Sequence, residues 1–138
     1  MIVIDCSLVI SSLMPDENSR YADAVFQNLM KKQVKGIVPS IFYVECMNVL
    51  ETLYRKQRVT KTLHEETIEM IGLLPLIVDL ETNTFTGTKR LYPLMQAHQL
   101  TSYDASYLEI AQRRKIGLAS LDKALQRAAI AEEVWYNI

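Results

Sequence analysis

Short runs of consecutive apolar residues alternate along this chain with longer stretches in which apolar residues recur every three or four positions. The runs predict buried strands and the stretches predict helices. Ile2-Val3-Ile4 is a β-branched run that stops at Asp5. Ser7–Leu13 reads as a short helix ended near Pro15, and Asn18 as the cap of a helix over 19–33 in which Ala22, Val25, Phe26 and Leu29 share a face. Gly36–Pro39 is a second strand, and Ser40 caps a helix carrying Phe42, Cys46, Val49, Leu50 and Leu53 on one side. Thr60 opens a helix to about Leu73, with Leu63, Thr67, Met70, Ile71 and Leu74 toward the core. Leu76–Leu80 is a third strand, followed by a helix from Thr82 or Asn83 to Gln99 that Pro93 should kink or restart. A helix over 102–115, a strand at Gly117–Ala119, a helix over 122–129 and a fifth strand at Val134–Tyr136 complete the chain.

Short buried strands separated by helices imply an α/β fold, with a parallel sheet covered on both faces. The 138 residues suit one domain, 1–138, with five strands and about seven helices. In such sheets ligands sit beyond the carboxyl ends of the strands, near the point where strand order reverses. The residues just after each strand therefore carry the chemical interest.

Composition narrows the classes. With 49% hydrophobic residues and only 4 Gly and 4 Pro, the chain can build a core without staples and is not a disordered linker. Its 15 Lys and Arg nearly cancel 16 Asp and Glu, so no strongly basic surface advertises nucleic acid. Local clusters can still steer binding: Lys31, Lys32 and Lys35; Arg55, Lys56, Arg58 and Lys61; Lys89 and Arg90; Arg113, Arg114 and Lys115. Cys6 and Cys46 are too few for a disulfide scaffold and lack metal-type spacing. Without a basic leader or a long apolar run, the expected setting is cytoplasmic, with no membrane association.

Four acids fall at the predicted ligand end of the sheet. Asp5 follows strand one, and Asp122 comes three residues after strand four. Asp104 lies in the first turn of the helix leading into strand four, and Glu45 early in the helix after strand two. Each also has an ordinary structural use: Thr101 to Asp104 is a capping box, Asp122 an N-cap, Asp5 a turn residue and Glu45 a solvated helix position. Glu45 lies roughly 75° from the centre of its helix's apolar stripe, so it borders the buried face and needs a partner. Asp79 ends a run, Leu76-Ile77-Val78, that resembles the run before Asp5, but strand three belongs at the sheet edge. It is expected to be a turn residue there.

Carboxylates packed closely repel one another unless they take up protons or a cation. Oxygen ligands without His or Cys suit Mg²⁺ or Mn²⁺. His64 and His98 read as surface residues, and no dinucleotide or phosphate-loop motif is present.

On these residues the sequence resembles the PIN-domain family, and within it the VapC-type ribonuclease toxins of type II toxin–antitoxin pairs. The resemblance rests on 2–7, on 39–45 with Asn48, on 100–108 and on 118–125, in order and spacing. It implies a three-layer α/β/α fold and a metal-dependent endoribonuclease, often a homodimer, held by a small DNA-binding antitoxin of the VapB type. It further implies that Asp5, Glu45, Asp104 and Asp122 hold Mg²⁺ or Mn²⁺ and act on RNA, with Ser7 and Ser120 as neighbouring hydroxyls. The antitoxin is expected on the helices over 19–33 and 40–56. Two other readings stand beside this one. A silent PIN module would bind RNA or protein without cutting, and a haloacid dehalogenase-like phosphatase would want an acid where Ser7 stands.

Overall fold

Four parallel strands form the sheet: β1 (Ile2–Ile4), β2 (Gly36–Pro39), β3 (Leu76–Asp79) and β4 (Gly117–Ala119), in the spatial order β3-β2-β1-β4. The computed structural model describes residues 1–16 and 19–138. Among these lie seven α-helices: α1 (Cys6–Leu13), α2 (Arg20–Met30), α3 (Phe42–Arg55), α4 (Lys61–Gly72), α5 (Phe85–His98), α6 (Ser102–Arg114) and α7 (Lys123–Ala131). They cover both faces of the sheet and give three layers, α/β/α. A 3₁₀ turn at Glu81–Asn83 precedes α5.

β1 is central and buried throughout, which explains its unbroken β-branched run. Its register sets Ile2 against Gly36 on one side, and Ile4 against Ala119 on the other. The first residues beyond β1 and β4, Asp5 and Ser120, therefore emerge side by side. β2 aligns Pro39 with Asp79 of β3, so Asp79 ends the outermost strand, as expected. β3 is not buried along its length. Ile77 is exposed, in keeping with an edge strand.

The expected fifth strand reduces to one bridge, between Trp135 and Leu118. Leu118 N–H donates to Val134 at 2.6 Å, and Tyr136 N–H donates to Leu118 at 3.0 Å. The cause is local: β4 offers three residues, and Glu133 takes a left-handed φ of 56° before the chain turns alongside it. Tyr136 also crowds Gly117, where an added Cβ would lie 2.9 Å from the tyrosine Cβ.

Most helix starts follow the expected chemistry. The side chains of Thr60, Thr101 and Asp122 accept hydrogen bonds from the first turns of α4, α6 and α7. Ser19 does so for α2, while the expected cap Asn18 lies outside the described residues. Ser40 does not cap α3. Its hydroxyl accepts from the Asn83 amide, and α3 begins after Ile41 without a side-chain cap. Thr84 caps α5, which continues through Pro93 as one helix. Pro93 itself is exposed on that helix. Met70, expected inward, is exposed on α4. His64 and His98, expected at the surface, are mostly covered and lie 3.5 Å from Glu51 and 2.6 Å from Glu132 respectively.

Candidate active site

Asp5 occupies the N-cap position of α1, yet its side chain does not cap the helix. The carboxylate is 5% exposed and accepts from two hydroxyls, Ser7 and Ser120, the latter at 2.6 Å. Both serines are themselves fixed. Leu121 N–H donates to Ser7 Oγ at 3.0 Å, and Asp122 N–H donates to Ser120 Oγ at 2.9 Å. The loop after β4 thus grips the acid after β1, a consequence of the β1–β4 register. Burial pushes the Asp5 carboxyl above its ordinary range against the pull of the two serines, and Asp104 pushes it further.

Glu45 sits half-buried on the first turns of α3 and accepts from the hydroxyl of Tyr107. The partner that its border position demanded is therefore a fully buried tyrosine of α6. Burial raises the Glu45 carboxyl, the tyrosine lowers it, and Asp5 and Asp104 add to the rise. Tyr107 was not among the sequence candidates. A signal existed, because it lies one turn after Asp104 on α6 and shares that acid's face. Burial, then the charges of Asp5 and Glu45, drive its phenol well above the usual range.

Asp104 and Asp122 each serve the start of a helix, the ordinary structural use expected of them. Asp104 N–H donates to Thr101 Oγ1 at 3.1 Å, and Thr101 Oγ1 donates back to its carboxylate at 2.8 Å. Asp122 caps α7, accepting from Leu125 N–H at 2.8 Å. Both also line one cleft of about 330 Å³ together with Asp5, Glu45, Cys6, Ser7, Ile10 and Val49. All four acids and Ser7 are thus brought together. Ser120 lies buried behind Asp5 instead of on the cleft wall. Cys6 and Cys46 meet beneath with their sulfurs 3.4 Å apart. The Cys6 thiol is pushed up by Cys46 and by burial, so it packs as a small, unreactive filler.

The carboxyl donors are all hard oxygen, and burial disfavours the charged forms of Asp5 and Glu45, which a divalent cation would offset. Among the described residues no three acid, His or Cys groups yet close around a single point. Two of the four carboxylates are turned toward helix N-termini and a third toward Tyr107, so a bound ion would draw them from those partners or act through water.

Asp79 stands apart. It accepts from Glu81 N–H at 3.1 Å as a turn residue, and it also binds Arg113 at 2.9 Å and Arg114 at 2.7 Å. Burial opposes its charge, but the two guanidinium groups outweigh burial and hold its carboxyl below the ordinary range. Buried Glu109 is held low in the same way by Arg113 and Arg90. This network corrects one expectation. Arg90, Arg113 and Arg114 are committed to internal ion pairs and are not a phosphate-binding patch.

A family model of the PIN domain matches residues 2–131. No curated protein sequence matches the chain. Among solved structures, PAE2754 from Pyrobaculum aerophilum superposes with a TM-score of 0.68 at 18% identity, over 92% of this chain and 78% of that one. VapC20 of Mycobacterium tuberculosis, described as a toxin that cleaves the sarcin–ricin loop, superposes with a TM-score of 0.66 at 11% identity. That match covers 93% of this chain and 95% of VapC20. At these identities the structural likeness speaks for the fold, and the family model spans nearly the whole sequence: the chain belongs to the PIN-domain family.

Proposed function

We propose that the protein is a metal-dependent endoribonuclease, the toxin of a type II toxin–antitoxin pair. The observation that carries this reading is the convergence of Asp5, Glu45, Asp104 and Asp122 on one cleft at the carboxyl end of β1. Asp5 and Asp104 would hold Mg²⁺ or Mn²⁺, with Glu45 and Asp122 contributing directly or through water. The ion supplies charge neutralisation at the scissile phosphate and a water acidic enough to attack it. The chain's own residues do the positioning. Ser7 and Ser120 fix the Asp5 carboxylate, and the N–H groups of Leu121 and Asp122 fix the serines. Tyr107 aims Glu45. In-line attack by water releases the 3′-oxygen, leaves a 5′-phosphate and uses no 2′-hydroxyl nucleophile.

Several cations remain exposed for flanking phosphates. Lys123 adjoins Asp122, and Lys56 and Arg58 follow the end of α3. A VapB-type antitoxin would compete for the outer surface of α2 and α3, where Met30, Val44 and Met47 are exposed. The homodimer that goes with this reading has a candidate face on α5, where exposed Phe85 and Tyr92 are seven residues apart. The deciding experiment is RNA cleavage titrated with Mg²⁺. Metal-dependent products carrying 5′-phosphate are expected. Cleavage that survives chelation, or products ending in 2′,3′-cyclic phosphate, would overturn the mechanism.

A further inference from the structure

A second recess, of about 360 Å³, opens beside the acidic cleft and shares two of its walls, Glu45 and Val49. Its other lining residues are Ile41, Val44, Asn48 and Tyr103. Three of the six are aliphatic, one is an aromatic ring 57% exposed, one is an amide, and Glu45 at the boundary is the sole charge. A large exposed tyrosine and an exposed Val44 have no folding purpose at this position, since neither enters the core.

The recess is coupled to the acids by the chain itself. Tyr103 directly precedes Asp104 at the start of α6, and Val44 directly precedes Glu45 on α3. Whatever occupies the recess is therefore held next to whatever the acids hold. A phosphate is a poor occupant, because no cation lines the space and a carboxylate borders it. A flat, neutral, hydrogen-bonding ring fits each wall. It would stack on Tyr103, pack against Val44 and Val49, and meet the Asn48 amide, which can donate and accept at a base edge.

We infer that the recess is a nucleobase subsite that takes an unpaired base of the RNA beside the scissile phosphate. The inference rests on the nuclease reading and deepens it. The RNA would be single-stranded at the cut, because a base inside a duplex cannot reach a platform of this kind.

The test is binding of a labelled, unstructured RNA dodecamer with Ca²⁺ in place of Mg²⁺, read by fluorescence anisotropy. Removing one stacking platform corresponds to about a tenfold loss of affinity. Tyr103→Ala is expected to weaken binding by about that factor, with Tyr103→Phe staying within about twofold of wild type. An abasic dodecamer should bind wild type and Tyr103→Ala alike. Val44→Asn, which replaces an aliphatic wall by an uncharged amide, should also weaken only the base-bearing oligomer. Undiminished binding by Tyr103→Ala, an equal loss on both oligomers, or no binding by wild type would each overturn the inference. So would a dimer that Val44→Asn dissociates while leaving RNA discrimination intact, since the face would then join two copies. Base-dependent binding without Mg²⁺-dependent cleavage would keep the subsite and remove the nuclease.

Discussion

Tyr107 donates its hydroxyl hydrogen to the carboxylate of Glu45, joining the buried face of α6 to the first turns of α3 across the acidic cleft. The contact sets the direction of the acid and moderates its rise in pKa. Tyr107→Phe keeps the ring and removes the donor. Burial and the neighbouring acids then act on Glu45 unopposed, so its carboxyl moves higher still. The acid limb of the pH–rate profile is expected to shift to higher pH, with a stability loss of about 1 kcal/mol. An unchanged limb would separate Glu45 from the reaction.

Asp5→Asn and Asp104→Asn are expected to abolish Mg²⁺-dependent cleavage while the fold persists. Removing one charge from a like-charged cluster should leave the metal-free melting temperature unchanged or higher. Cleavage assays and thermal melts on the same preparations check both halves. Full activity in either variant would remove that acid from the site.

Asp79→Asn should do the reverse. It leaves Arg113 and the partly exposed Arg114 facing a neutral amide, at a cost of about 1–2 kcal/mol. Cleavage per folded molecule should remain close to wild type, since Asp79 lies two strands from β1. Denaturant melts paired with cleavage rates test this. A loss of rate as large as that of Asp5→Asn would contradict the separation.

Two opposite pH dependences of stability follow from the two acid groups. Asp5 and Glu45 titrate higher folded than unfolded, so the folded state binds more protons and metal-free stability falls as pH rises through and above the ordinary carboxylate range. Asp79 and Glu109 titrate lower when folded, so their contribution is present above that range and lost as pH falls through their folded values. Melts without metal should therefore show greatest stability in mildly acidic buffer. Asp5→Asn should flatten the descending side, and Mg²⁺ should do the same in wild type. A neutral-pH maximum without metal would contradict the assignment.

Lys56 and Arg58 follow the end of α3, about 16 Å along the helix from Glu45 by the rise per residue. If each meets one phosphate, the double alanine variant should reduce the slope of log affinity against log salt by about 1.4. Binding measured across salt concentrations reads this directly. An unchanged slope would place the RNA elsewhere.

The strands themselves and the positions of the acids after them were legible in the sequence because both follow from patterns confined to short segments. Ile2-Val3-Ile4 declares a buried central strand, and Asp5 and Asp122 are marked by where the runs stop. What stayed hidden depends on side chains that meet from distant segments. Asp79 and Glu81 stand 34 and 32 residues from Arg113, so nothing near it in the sequence indicates them, and the cluster read as a local patch able to steer binding. Ser40 looked like a cap because its claim on Asn83 is made across 43 residues. The fifth strand failed for a related reason. Its apolar residues are real, but the length of pairing was set by β4 and not by the segment itself.

The grip of Ser120 on Asp5 joins residues 115 positions apart. On the ribosome, Asp5 is made long before Ser120, and β1 waits for β4 through most of translation. Until then the cleft lacks Asp122 and the serine that orients Asp5, and α6 has only just supplied Asp104. A growing chain therefore carries its acids as an unassembled set. The order of synthesis thus leaves the acidic cleft unassembled until the β4 segment has been made and has paired with β1.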